Sequence, residues 1–120
     1  MVDILNIDFS HIDDRGELVQ LIHGGYEQIN ILKSNKGVVR GGHYHKETHE
    51  AFYVVYGSVI VDSCVDDKQD RQIFHEGDFF RIPPYVLHSM EFPENCLMVQ
   101  MYSTCVDKGN GTMDIFREGE

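Results

Sequence analysis

The sequence contains no tryptophan, three prolines, three cysteines and only ten lysines and arginines in 120 residues. Each scarcity excludes something. Cys64, Cys96 and Cys105 are odd in number and form no CxxC pair, which argues against a disulfide framework and for a reducing, cytoplasmic setting. Ten basic side chains face twenty acidic ones, for a net charge of −10. Nonspecific binding to nucleic acid or to an anionic membrane needs Lys and Arg at the phosphates, so neither is expected as a partner. A small anionic ligand held by a few local cations is compatible with this charge. No stretch approaches the ~20 apolar residues of a membrane span. The start, MVDILNIDFSHIDD, has no basic n-region, so no targeting segment is expected. No window keeps the i, i+3, i+4, i+7 apolar pattern over three turns, so little helix is expected.

What is present reads as short strands. Ile29 to Leu32 is β-prone, and Ala51 to Val65 is rich in β-branched and aromatic residues, with a bend or bulge expected at Gly57-Ser58. Ile73-Phe74 and Phe79 to Ile82 flank the turn signal Glu76-Gly77-Asp78, and Cys96 to Tyr102 is a further apolar run. Turn clusters stand at His23-Gly24-Gly25, Lys33 to Gly37, Asp66 to Asp70 and Pro83-Pro84. Strands at roughly 8–12-residue spacing predict an all-β sandwich or barrel. The length suits one domain. From Val106 the chain is polar, and Ile115 and Phe116 are its possible anchors, to the body or to a partner chain; fraying is the alternative.

Histidine is the enriched residue. His43, His45 and His49 fall within seven positions. If Val38 to Lys46 is a strand, His43 and His45 share a face, because side chains repeat every two residues. Two imidazoles on one face are the start of a metal site, and further ligands must then come from other strands. Glu50, His49 and His88 are the candidates. Such a set suits Zn²⁺, Fe²⁺ or Mn²⁺. His11, His23 and His75 are isolated and read as surface residues.

Gly37, then His43-Tyr44-His45, Glu50 and Gly57 match the first cupin motif at every fixed position. Gly77, Pro83 and His88 fit the second, with Tyr85 where Gly is usual and Phe92 where Asn is usual. On these motifs the chain resembles the cupin superfamily. The resemblance implies a single all-β cupin domain over residues 1–120, a double-stranded β-helix (jelly-roll) barrel at about 17–105 with a polar tail at 106–120. It also implies the metal ligands His43, His45, Glu50 and His88, with His49 as the fallback should the register slip by one.

A narrower resemblance rests on Asp13-Asp14-Arg15-Gly16-Glu17-Leu18 and on Arg40-Gly41-Gly42-His43-Tyr44-His45-Lys46. These look like cupins of nucleotide-sugar metabolism, among them dTDP-4-keto-6-deoxyglucose 3,4-ketoisomerases and the cupin domains of capsular-polysaccharide enzymes. The ketoisomerases share the histidine pair but generally lack the carboxylate and the second-motif histidine. Glu50 and His88 are both present here, which favours metal. The implied function is an isomerase or epimerase acting on a nucleotide-linked 4-keto sugar, with His43, His45 and Tyr102 as candidate catalytic residues. If a metal engages the histidines, the base must come from Tyr44, Tyr53, Tyr102 or His49. Arg40 and Arg81 are the candidates for holding the pyrophosphate. Two alternatives stand beside this one: an iron-dependent oxygenase-type cupin and a noncatalytic metabolite-binding cupin. A homodimer is expected, because Phe52 to Val55 would suit a strand buried by the barrel on one face and by a partner on the other.

Overall fold

The computed structural model describes residues 1–120 and contains eleven strands and no helix. The strands are β1 (Asp3–Ile4), β2 (Phe9–Asp13), β3 (Gly16–Gln20), β4 (Gln28–Ser34), β5 (Val39–His43), β6 (Glu50–Tyr56), β7 (Ser58–Val65), β8 (Lys68–His75), β9 (Phe79–Ile82), β10 (Leu87–Glu91) and β11 (Cys96–Tyr102). They form a five-stranded sheet, β1-β9-β6-β11-β4, a four-stranded sheet, β5-β10-β7-β8, and a separate hairpin, β2-β3. All strand pairings are antiparallel. The two larger sheets face one another as a jelly-roll. With no helix at all, none is long and apolar enough to cross a membrane.

The inner faces are built by alternation. Phe52 and Val54 on β6, Phe80 and Ile82 on β9 and Met98 on β11 meet Val59 and Val61 on β7, Phe74 on β8 and Met90 on β10 in one buried cluster. Phe74 stacks on Phe80 at 4.0 Å between ring centroids. Full burial of each such side chain contributes about 1.5–3 kcal/mol. The apolar core fills one end of the space between the sheets. At the other end the inward positions of the same strands turn polar, at Glu50, His88 and Gln100.

Several local expectations are corrected. β5 ends at His43 rather than running to Lys46, because Tyr44 leaves the sheet to bridge Phe116 instead. The turn expected over 66–70 is confined to Asp66-Asp67, and Lys68 to Asp70 already belong to β8. β8 is long and mostly polar because its outer face meets solvent. The outer face of β6 is covered in part by the chain's own N-terminal segment: Ala51, Phe79 and Met101 pack under Leu5, Ile7, Leu21 and Ile22. Val55 remains exposed.

Candidate metal centre

Four side chains from four places in the sequence converge at the polar end. His43 closes β5, His45 follows it, Glu50 opens β6 and His88 sits on β10 beside His43. One ligand atom from each can be chosen so that all lie within 4.8 Å of one another. The imidazole centroids are 5.0 Å apart for His43 and His45 and 4.9 Å for His43 and His88. His45, Glu50 and His88 are each 2% exposed, while His43 is half-buried and gives the cluster its open side. His49 is not in the cluster.

Local backbone geometry makes this possible. The pairing of β10 with β5 shifts register between His88 and Ser89, so an irregularity brings both histidines to the inner face. Gly41, at φ +94°, permits it: a Cβ there would stand 2.8 Å from the carbonyl oxygen of His88. On the other side of His88, the Pro83-Pro84-Tyr85 turn carries Tyr85 at φ +68°. That left-handed conformation is the reason the related motif favours glycine at this position. Here Tyr85 tolerates it while exposed, stacks on Tyr44 and donates its N–H to the carbonyl of His45 at 2.7 Å.

Hydrogen bonds fix which ring nitrogens face inward. His45 Nδ1 lies 2.5 Å from the carbonyl oxygen of Asp114, and His88 Nδ1 lies 2.9 Å from that of Val86. A carbonyl cannot donate, so each Nδ1 carries the proton and each Nε2 points at Glu50 Oε2, at 3.1 and 3.2 Å. Buried His88 Nε2 has no aligned hydrogen-bond partner. In the neutral ring its lone pair faces a carboxylate lone pair, and only a proton or a cation between them relieves that opposition. Three imidazoles and one carboxylate, with two Nδ1–H groups anchored on carbonyls, are a donor set that fits Zn²⁺, Fe²⁺ or Mn²⁺.

The electrostatics agree. Burial would raise the Glu50 carboxyl, but the approach of His45 and His88 outweighs it and holds the group well below the usual carboxylate range. Burial acts against the charged form of His45, and the Glu50 and Asp114 contacts more than compensate, so its pKa is raised. Burial and the nearby His88 push His43 down to about 4, leaving its imidazole neutral near pH 7.

Two features of the centre escape a reading of the sequence. Gln100 Nε2 donates to Glu50 Oε1 at 2.9 Å, and Asn30 Nδ2 donates to Gln100 Oε1 at 3.0 Å. This amide chain clamps the carboxylate from the β11 and β4 side. Gln100 was visible only as the single polar residue within CLMVQMY. We expect Gln100→Leu to cost about 1–3 kcal/mol, because it leaves Glu50 Oε1 and Asn30 Nδ2 without partners; urea denaturation measures this directly. The second feature is the reach of the C-terminal segment to His45: of the alternatives the sequence left open, the tail is anchored to the body through Phe116, and its contact with the cluster was not among them. Tyr44 and Phe116 exchange two backbone hydrogen bonds of 2.9 Å, and Lys46 Nζ sits 4.1 Å above the Phe116 ring.

The other candidate residues divide. Tyr102 adjoins the cluster, 6.1 Å from the His45 ring. Burial and the Glu50 charge push its phenol up to about 12. Tyr44 instead stacks between Tyr85 and Phe116, and Tyr53 packs on Phe79. Arg40 spans the gap between the sheets, donating to Ser34 Oγ and to the Lys33 carbonyl at 2.9 Å each. Arg81 pairs with Asp3 across β9 and β1 at 3.0 Å, while its neighbours Phe80 and Ile82 face the core. The guanidinium whose charge is felt at His43 is that of Arg117, which reaches the carbonyl of Gly42 at 3.4 Å.

Residues 11–106 match the family described as the polysaccharide biosynthesis C-terminal domain. The chain belongs to this family. Among curated proteins, a 3-hydroxyanthranilate 3,4-dioxygenase of Paraburkholderia phytofirmans is 34% identical over 74% of the chain and 56% of the relative. The chain thus spans about half the length of that relative. Among solved structures, QdtA, a sugar 3,4-ketoisomerase from Thermoanaerobacterium thermosaccharolyticum in complex with TDP, superposes with a TM-score of 0.83 over 98% of the chain and 88% of its own, at 21% identity. The capsular polysaccharide assembling protein CapF from Staphylococcus aureus gives 0.69 over 91% of the chain and 32% of its own, at 20% identity. At these identities the likeness is one of fold, and the fold of this family member is the cupin fold.

Proposed function

We propose that this family member is a metal-binding isomerase or epimerase acting on a nucleotide-linked 4-keto sugar in surface polysaccharide synthesis. The observation that carries the proposal is the buried cluster of His43, His45, Glu50 and His88 inside a barrel that follows a TDP-bound sugar 3,4-ketoisomerase along 98% of its length. The family's description supports the polysaccharide context. The four clustered side chains would hold the cation, and a divalent metal there would supply Lewis-acid polarisation of a ketone.

The reaction needs a proton removed beside the ketone and one returned. Tyr102, protonated up to about pH 12, holds a proton at its phenol oxygen beside the cluster and suits the donor role. His43 is neutral, but a pKa of about 4 makes it a weak base, as catalysis favours a pKa near the working pH. Holding metal is therefore the stronger assignment for it. His45, donating through Nδ1 to Asp114, likewise presents Nε2 to the cluster rather than to solvent. Arg117 supplies positive charge at the open side, where an anionic substrate would enter. Arg40 and Arg81 would have to release their present partners to reach one.

Incubation with dTDP-4-keto-6-deoxyglucose in deuterium oxide tests the proposal. Deuterium entering the sugar carbon beside the ketone is expected; binding without exchange would leave a noncatalytic carrier. The curated dioxygenase relatives support a second reading. Iron in the purified protein, with oxygen uptake on 3-hydroxyanthranilate, would establish that one instead.

A second copy of the chain is the proposed partner. The β2-β3 hairpin pairs with no other strand of its own chain and exposes Phe9, Ile12 and Leu18, while β4 exposes Ile29 and Ile31 on the outer sheet face. An isolated two-stranded hairpin is marginal in water, and a partner's apolar face would stabilise it. Light scattering is expected to give a dimer mass, and Ile12→Asp with Leu18→Asp is expected to shift it to the monomer.

A further inference from the structure

We propose that the C-terminal strap, residues 106–120, is a working part of the metal centre, with Asp114 as the positioning residue for His45. The proposal rests on the metal assignment above and extends it to a segment that, from residue 107, lies beyond the 11–106 span of the family match. Asp114 is 4% exposed, although it lies in a polar, strand-poor tail. Its side chain is fully used. The carboxylate accepts the N–H groups of Lys46 at 2.8 Å, Glu47 at 3.0 Å and Thr48 at 2.9 Å, and the Thr48 hydroxyl at 2.8 Å. Those three consecutive residues, with His49, make up the loop between His45 and Glu50. Its main-chain oxygen takes the Nδ1 proton of His45.

One residue therefore performs two tasks. Its carboxylate gathers the N–H groups that would otherwise be orphaned where the chain turns between two ligands. Its carbonyl selects the His45 tautomer whose Nε2 lone pair faces Glu50. A partner on the second nitrogen of a ligating histidine fixes ring orientation and raises ligand basicity, and its loss typically costs 10–100-fold in metal affinity. The strap is in turn held to the barrel by the paired backbone of Tyr44 and Phe116 and by Lys46 over the Phe116 ring. The His45 part of the centre is thus held by a residue more than sixty positions distant.

Zinc titration of the metal-free full chain tests this, comparing the parent with Asp114→Ala, Asp114→Asn and, in the same strap, Glu118→Ala. Asp114→Ala keeps the main-chain carbonyl but releases residues 46–48 from the strap, and the loosened His45 contact is expected to weaken zinc binding by about 10-fold, the lower end for loss of an outer partner, while the far-ultraviolet dichroism stays that of the parent. Asp114→Asn should fall between, and Glu118→Ala should match the parent. Equal affinity in parent and Asp114→Ala would overturn the strap's role and leave the metal assignment standing. A parent that takes up no zinc, iron or manganese would overturn both. Nitrogen-15 histidine spectra of the zinc-loaded parent give a readout that survives a variant failing to fold. A slowly exchanging Nδ1–H on His45 is expected, and zinc found on Nδ1 would overturn the proposal.

Discussion

Glu50→Gln is expected to abolish stoichiometric metal binding while leaving a folded barrel. The substitution keeps the shape of the side chain and removes its charge. Glu50 Oε2 stands 3.1 Å from His45 Nε2 and 3.2 Å from His88 Nε2, so it is the anionic member of an otherwise neutral donor set. Loss of a residue that merely orients a ligand costs 10–100-fold in affinity, and loss of the charged ligand itself should exceed about 100-fold. Metal content after chelation and reloading measures the effect. The metal-free protein should suffer less. Breaking a buried ion pair is severe when it strands a charge, but an imidazole can shed its proton, so His45 need not remain charged beside an amide. A loss of about 1–3 kcal/mol is expected, the order of a buried group left without its partner. Wild-type metal content in Glu50→Gln would refute the four-residue centre.

The architecture was legible where burial wrote a pattern. Ala51 to Val65 alternates over a buried sheet, and its bend at Gly57-Ser58 is where the chain passes from one sheet to the other. The histidine pair was legible as well, although for a partly mistaken reason. His43 and His45 meet through the end of β5 and the bridge that follows it, not through one continuous strand. The full length of β8 was not legible, because polar residues on a solvent-facing strand carry no core signal, and the β2-β3 hairpin was not legible because its apolar Phe9, Ile12 and Leu18 stay exposed and outside the core. Asp114 left none either. Its partners lie 66–69 positions away along the chain, and a lone aspartate in a polar tail has the composition of a solvated residue. Local pattern reports which face is buried; it cannot report which distant carbonyl meets a ring nitrogen. The expected cations illustrate the same limit. Arg40 and Arg81 flank motif residues in sequence, yet structural partners already occupy both, and the tail brings Arg117 to the cluster instead.

The second large effect is expected at the corner between β6 and β7. Gly57→Ala should cost more than about 4 kcal/mol, the range reserved for severe backbone or core disruption. Gly57 and Gly77 have nearly the same φ, +86° and +87°, so both substitutions force an alanine into the left-handed region. That shared strain is worth about 1–2 kcal/mol. The surroundings differ. A Cβ on Gly77 meets nothing within 4 Å, whereas one on Gly57 would fall 2.2 Å from the Asn95 carbonyl oxygen and 2.8 Å from Cys96 Cα. Those atoms are backbone at the start of β11, and no side-chain rotation can move them aside. Relief requires shifting β11, whose inner residues Cys96 and Met98 are fully packed and whose Gln100 clamps Glu50. The corner and the metal centre are therefore coupled through one strand. Gly77→Ala should unfold at slightly lower denaturant and bind metal normally. Gly57→Ala should be insoluble, or fold with both a strongly lowered midpoint and weakened metal binding. Equal midpoints for the two variants would show that the close approach at Gly57 has no energetic weight.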